Sequence, residues 1–154
     1  HTSTIVRFIE YMDVGTRNGW KLDDVVSARE LRDRIHAEFP LKPLDKHYDS
    51  EVASRYAYED GAGEIGFITS VTNTFCGDCS RARISADGHF YTCLFAGHGT
   101  DLKTPMREGA TNDELRQIIA EVWSARGDRY SELRASMTEY DQQQRKVEMY
   151  QLGG

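Results

Sequence analysis

The chain has 154 residues, of which 39% are apolar and 29% charged, and a formal net charge of −6; this suits one soluble domain or a part of one. The acidic balance argues against a general nucleic-acid surface, no apolar run is long enough to span a bilayer, and no apolar leader precedes the first strand-like run. Three cysteines, two of them close together, fit reduced thiols better than a secreted disulfide framework, so the expected compartment is the cytoplasm.

Residues 4–12 are β-branched and aromatic without clean alternation, which predicts a strand buried on both faces, as in a parallel sheet. Arg7 and Glu10 interrupt it, and charges in such a run mark either a pocket or a buried pair. Asp13 to Gly19 reads as a polar loop. Ser27-Ala28-Arg29-Glu30 is a capping-box pattern, with Leu31, Ile35 and Phe39 at helical spacing and Pro40 as a stop, which predicts a helix over 28–39. Residues 40–53 read as loop, and 54–60 and 64–72 as strands. Residues 81–86 and 89–95 flank Asp87-Gly88, a hairpin-turn signal. Thr111-Asn112-Asp113-Glu114 is a second capping box. Leu115, Ile118, Ile119, Val122 and Trp123 extend it into an amphipathic helix ending near Gly127. Beyond that the sequence turns polar. A lone parallel-type strand at the start needs neighbours, which implies that they lie in further sequence; the alternative is an edge strand of a small α+β domain.

Cys76-Gly77-Asp78-Cys79 places two thiols where both can turn to one side, and Gly77 eases the tight turn. Cys93 returns along the hairpin. With a three-residue loop, Ala86-Asp87-Gly88, Ser85 faces His89 and Arg81 faces Cys93; with a two-residue loop Cys93 faces Ala82. The three-residue loop is predicted because it gathers sulfur and guanidinium on one surface. Such a set suits zinc with His89 or His98 as fourth ligand, an iron–sulfur cluster with one open iron, or a redox dithiol with Cys93 as plain core. Arg81 and Arg83, two apart on a strand, share a face. Their forks suit phosphate at about 1.5–3 kcal/mol per charge-assisted bond, or they pair with acidic side chains. The terminal Gly153-Gly154 resembles a ubiquitin-like carrier tail, a tail that threads a narrow site, or a frayed end.

Arg7-Phe8-Ile9-Glu10-Tyr11-Met12, Gly66-Phe67-Ile68-Thr69-Ser70, Phe75-Cys76-Gly77-Asp78-Cys79-Ser80-Arg81-Ala82-Arg83, Asp87-Gly88 with Cys93-Leu94-Phe95, and Gly153-Gly154 together resemble the C-terminal half of the GTP 3′,8-cyclase family. These are radical S-adenosylmethionine (SAM) lyases of molybdenum-cofactor biosynthesis. The resemblance implies an α/β fold: the last strand–helix unit of an incomplete (β/α) barrel over residues 1–40, then a cluster-binding antiparallel extension with flanking helices over 41–154. It implies that Cys76, Cys79 and Cys93 hold a second [4Fe–4S] cluster. It implies that Arg7, Arg81, Ala82 and Arg83 bind GTP, that Met12 lines the SAM site, and that Gly153 and Gly154 enter the active site. The CxxxCxxC motif that binds SAM in the family is absent from this sequence, so the chain alone is expected to be inactive and to contribute no catalytic residue. A homodimer is expected, with neither nucleic acid nor membrane as partner. The alternative is a stand-alone zinc-binding docking module.

Overall fold

The β-branched run near the N-terminus becomes β1, Val6–Ile9, in a computed structural model that describes residues 4–15, 17–137 and 147–152. The chain forms two compact units, one of residues 1–12 with 20–79 and the other of 13–19 with 80–154.

In the first unit, β1 pairs in parallel with β4, Glu64–Ile68, with Val6 opposite Ile65 and Ile9 opposite Ile68. Antiparallel pairing adds β3, Ala53–Tyr58, and then β2, Leu41–Leu44, giving the order β1-β4-β3-β2. Strand alternation sends Phe8, Ile65, Phe67 and Tyr56 to one face, where α1, Ala28–Glu38, covers them with Ala28, Leu31 and Ile35. Phe67 stacks on Phe8 with centroids 5.8 Å apart and meets the edge of Tyr56 at 5.7 Å. Only half of the predicted capping box forms at α1. The Ser27 hydroxyl accepts from the Glu30 amide at 3.2 Å, while the Glu30 carboxylate turns to Arg34 at 2.5 Å.

Two expectations are corrected here. β1 is not buried on both faces: it is an edge strand, and Val6 and Ile9, on opposite faces, are 51% and 54% exposed because nothing among the described residues covers them fully. Within the segment read as loop, Leu41–Leu44 forms a strand. Its Pro43 is tolerated because β2 is the opposite edge and needs no amide on its outer side.

In the second unit, β5, Arg83–Ile84, and β6, His89–Tyr91, form the predicted hairpin, and β7, Thr100–Asp101, joins β6. Arg83 opposes Tyr91 and Ile84 opposes Phe90, the three-residue register. The Ser85 amide donates to the His89 carbonyl and the Gly88 amide to the Ser85 carbonyl, both at 2.9 Å. Gly88 sits at φ +87°, and a Cβ there would lie 2.7 Å from that of Lys103. The strands are shorter than 81–86 and 89–95, so the ladder ends before Arg81 and Cys93.

A short helix α2, Lys103–Arg107, was not foreseen; the Asp101 carboxylate caps it through the amides of Lys103 and Thr104 at 2.8 and 3.0 Å. The predicted amphipathic helix is α3, Asn112–Ser124, with both halves of the Thr111–Glu114 capping box present. The segment read as polar carries α4, Tyr130–Leu133, a 3-10 turn at Arg134–Ser136, and another at Met149–Leu152. It also buries Tyr130, Arg134 and Leu152. No helix among the described residues is long and apolar enough to cross a membrane.

Candidate functional site

Cys76 and Cys79 close a short turn after β4. The Cys79 amide donates to the Cys76 carbonyl, and the Asp78 amide to the Phe75 carbonyl, each at 3.3 Å. Gly77 does not adopt a positive φ, and a Cβ there would meet nothing within 4 Å, so this turn does not require glycine. Cys93 lies in the loop after β6, in the other unit. Its Sγ accepts from the Phe95 amide at 3.4 Å, and its carbonyl from the Ala96 amide at 3.2 Å. All three cysteines are half-buried thiols. Among the described residues no three His, Cys, Asp or Glu side chains form a group that could hold a metal ion. The donor chemistry nevertheless suits a thiophilic centre: partly exposed thiols, two of them on one tight turn, and a backbone N–H aimed at the third sulfur.

Arg7, Gly66 and Arg55 stand in one row across β1, β4 and β3, on the face of the sheet opposite α1. A Cβ at Gly66 would sit 3.3 Å from Arg7 Cγ, so the glycine gives the arginine room to lie across the strand. Beside the row, Glu51 is 4.0 Å from the guanidinium groups of both Arg7 and Arg55. Arg55 grips Glu64 with two bonds of 2.7 and 2.6 Å and holds that carboxyl below its ordinary range. Arg55 is thereby committed. The Arg7 side chain is 41% exposed, and its ion pair to Glu51 is long, at 4.0 Å, which leaves donors for an anion.

Arg81 is exposed and precedes β5; Arg83 is half-buried within β5. The alternation that would align them on one face therefore does not extend to Arg81. Ala82 is exposed between them, and Met12 is half-buried beyond β1. Gly153 and Gly154 lie outside the described residues.

A cleft of about 630 Å³ in the first unit lies elsewhere: Arg29, Arg32, Tyr56, Phe67, Thr69 and Thr72 are among its lining residues, on the α1 side of the sheet. None of the predicted ligand or substrate residues lines it.

Two buried carboxylates flank Met12. Glu10, 3% exposed, accepts four bonds: from the Ala28 amide at 2.9 Å, the Val71 and Thr72 amides at 2.8 Å each, and the Thr72 hydroxyl at 2.6 Å. Burial pushes its carboxyl upward, but the bonds to the charged form outweigh this and hold it below the ordinary value. Asp13, 2% exposed, accepts from the Tyr130 hydroxyl at 2.6 Å and pairs with Arg134 at 2.7 Å. Burial, and then the bond to Asp13, push the Tyr130 phenol well above its usual range. Phe95 stacks on Tyr130 at 4.5 Å, and Arg134 lies 5.4 Å over Phe95. Sequence reasoning left Glu10 between pocket and pair, and missed Asp13, Tyr130 and Arg134. The one local signal was an aromatic four residues before an arginine in a polar stretch.

The sequence profile described as Molybdenum Cofactor Synthesis C matches residues 4–132. Over 153 residues the chain is 54% identical to a GTP 3′,8-cyclase of Xanthomonas campestris pv. campestris, covering 99% of this chain and 44% of that protein. It is 45% identical to one from Acidothermus cellulolyticus, with 97% and 48% covered, and 43% identical to one from Staphylococcus haemolyticus, with 97% and 44% covered. The chain thus spans about half the length of these relatives, and it belongs to the Molybdenum Cofactor Synthesis C family.

Proposed function

We propose that this chain is the substrate-binding, C-terminal part of a GTP 3′,8-cyclase, which converts GTP to (8S)-3′,8-cyclo-7,8-dihydroguanosine 5′-triphosphate in molybdenum-cofactor biosynthesis. The observation that carries this reading is the 54% identity across 99% of the chain to a relative named for that activity.

In this reading Cys76, Cys79 and Cys93 ligate a [4Fe–4S] cluster. When bound, it supplies one iron without a protein ligand as a Lewis-acidic site for the purine. Three thiolates are the whole cysteine complement of the chain, which accounts for the open position. The Phe95 amide steadies the Cys93 sulfur. Arg81, Ala82 and Arg83, just beyond Cys79, bind the nucleotide, with guanidinium forks on phosphate oxygens. Arg7, held across Gly66 with donors to spare, adds a third cation. Met12 lines the SAM site, and Gly153 and Gly154 reach the active site. β1 and α1, residues 1–40, are the last strand–helix unit of an incomplete barrel, and residues 41–154 form the cluster-binding region. The open edge and exposed apolar residues of β1 agree with further strands supplied by an N-terminal part. That part also brings the cluster that cleaves SAM, so this chain alone is inactive. The whole protein works in the cytoplasm as a homodimer, with neither nucleic acid nor membrane as partner.

The test is GTP affinity of Arg81→Ala and Arg83→Ala in a chimaera carrying the N-terminal part of the Xanthomonas relative ahead of this chain. Each variant is expected to weaken binding by about tenfold or more, the loss of one charge-assisted bond, with iron content unchanged. Wild-type affinity in both variants would refute the assignment.

A further inference from the structure

The segment Glu10-Tyr11-Met12-Asp13 carries two buried carboxylates three residues apart, and each serves a different structural unit. Glu10 gathers the Val71 and Thr72 amides, the Thr72 hydroxyl and the first amide of α1. Cys76 follows Thr72 by four residues, so the chain that enters the CxxC turn starts from a point fixed by Glu10. The segment that leads into the turn holds a further bond, from the Thr69 hydroxyl to the Asn73 carbonyl at 2.8 Å.

Asp13 works in the second unit. It holds the Tyr130 hydroxyl and the Arg134 guanidinium. Tyr130 and Arg134 in turn form the surface on which Phe95 lies. Phe95 is two residues beyond Cys93 and donates its amide to that sulfur. On the other side of Cys93, the Thr92 hydroxyl donates to Asp128 at 2.5 Å, two residues before Tyr130. The Cys93 loop is therefore clamped on both flanks by the segment that Asp13 anchors. A buried carboxylate with this many donors is costly to form and rigid once formed, which suits the task of fixing a ligand.

We infer that Glu10 and Asp13 are positioning residues for the cysteine set: Glu10 fixes the approach to Cys76 and Cys79, and Asp13 fixes the packing beneath Cys93. Four consecutive residues after β1 thereby govern both parts of the ligand set. This inference rests on the cluster reading proposed above.

The test compares Glu10→Gln, Asp13→Asn and the milder Thr72→Val and Tyr130→Phe with wild type and with Glu64→Gln, which weakens a different carboxylate–arginine pair in the same sheet. The proteins are chimaeras whose N-terminal cluster cysteines are replaced by serine, reconstituted with iron and sulfide. Three quantities are read: the rate of iron loss to a chelator, the paramagnetic resonance spectrum of the reduced cluster, and the circular dichroism melt. Anchor variants are expected to lose iron about fivefold or more faster than wild type and to shift the resonance spectrum. Thr72→Val and Tyr130→Phe should do so while still melting cooperatively, and Glu64→Gln should leave both cluster readouts as in wild type. Equal iron loss and unchanged spectra in the folded anchor variants would overturn the inference alone. Failure of the wild-type chimaera to bind iron would overturn the cluster reading and the inference with it.

Discussion

Glu10 is 3% exposed, and among the described residues its charge meets four donors rather than a cation. Its carboxyl is held below the ordinary value, so it stabilises the fold at any pH above that value. The contribution is lost as pH falls through the lowered value. Glu10→Gln is expected to cost about 2 kcal/mol at about pH 7, since an amide group turns a donor toward the buried Ala28 amide or the part-buried Val71 and Thr72 amides. The cost should shrink as the pH falls through the lowered value. Urea unfolding of both proteins across that range checks this; a difference that stays constant with pH would contradict it. Cys76, Cys79, Cys93 and the arginines were legible in the sequence because chemistry at short spacing announces itself. The Asp13–Tyr130 bond joins residues 117 apart, and no local pattern encodes such a pair.

The hairpin shows how far local signals reach at the scale of the element. Asp87-Gly88 marks its place, and Arg83 opposite Tyr91 is the three-residue register expected from the spacing of Cys93 and the arginines. Gly88→Ala should destabilise the chain by about 1–3 kcal/mol, because φ is +87° and the new Cβ meets Lys103. A denaturation midpoint equal to wild type would contradict this. α1 and α3 were legible from capping boxes and apolar spacing, with the box complete only at α3. Thr111→Ala removes two bonds of the hydroxyl, one from the Glu114 amide and one to the Glu114 carboxylate, where Ser27→Ala removes one, so it should cost more, about 1–2 against 0.5–1 kcal/mol, by the same measurement. The strands β2 and β7 and the helix α2 were not legible. β2 contains a proline that only its edge position permits. β7 is two residues long, and α2 is set by a capping carboxylate placed just before it.

At the scale of the molecule, β1 is where the apolar pattern and the observed exposure part company. Its apolar run predicts cover on both faces, yet Val6 and Ile9 are about half exposed and its outer edge carries no strand among the described residues. The chain spans 44% of the Xanthomonas relative, and the N-terminal part proposed above would cover both. The central claim is that three thiols hold a cluster whose open iron meets GTP. The measurement that tests it most directly is the visible spectrum of the anaerobically reconstituted chain, with iron and sulfide counted, before and after GTP is added. A brown protein with about four irons per chain and a spectrum that changes with GTP are expected. A colourless protein holding a single zinc would contradict it.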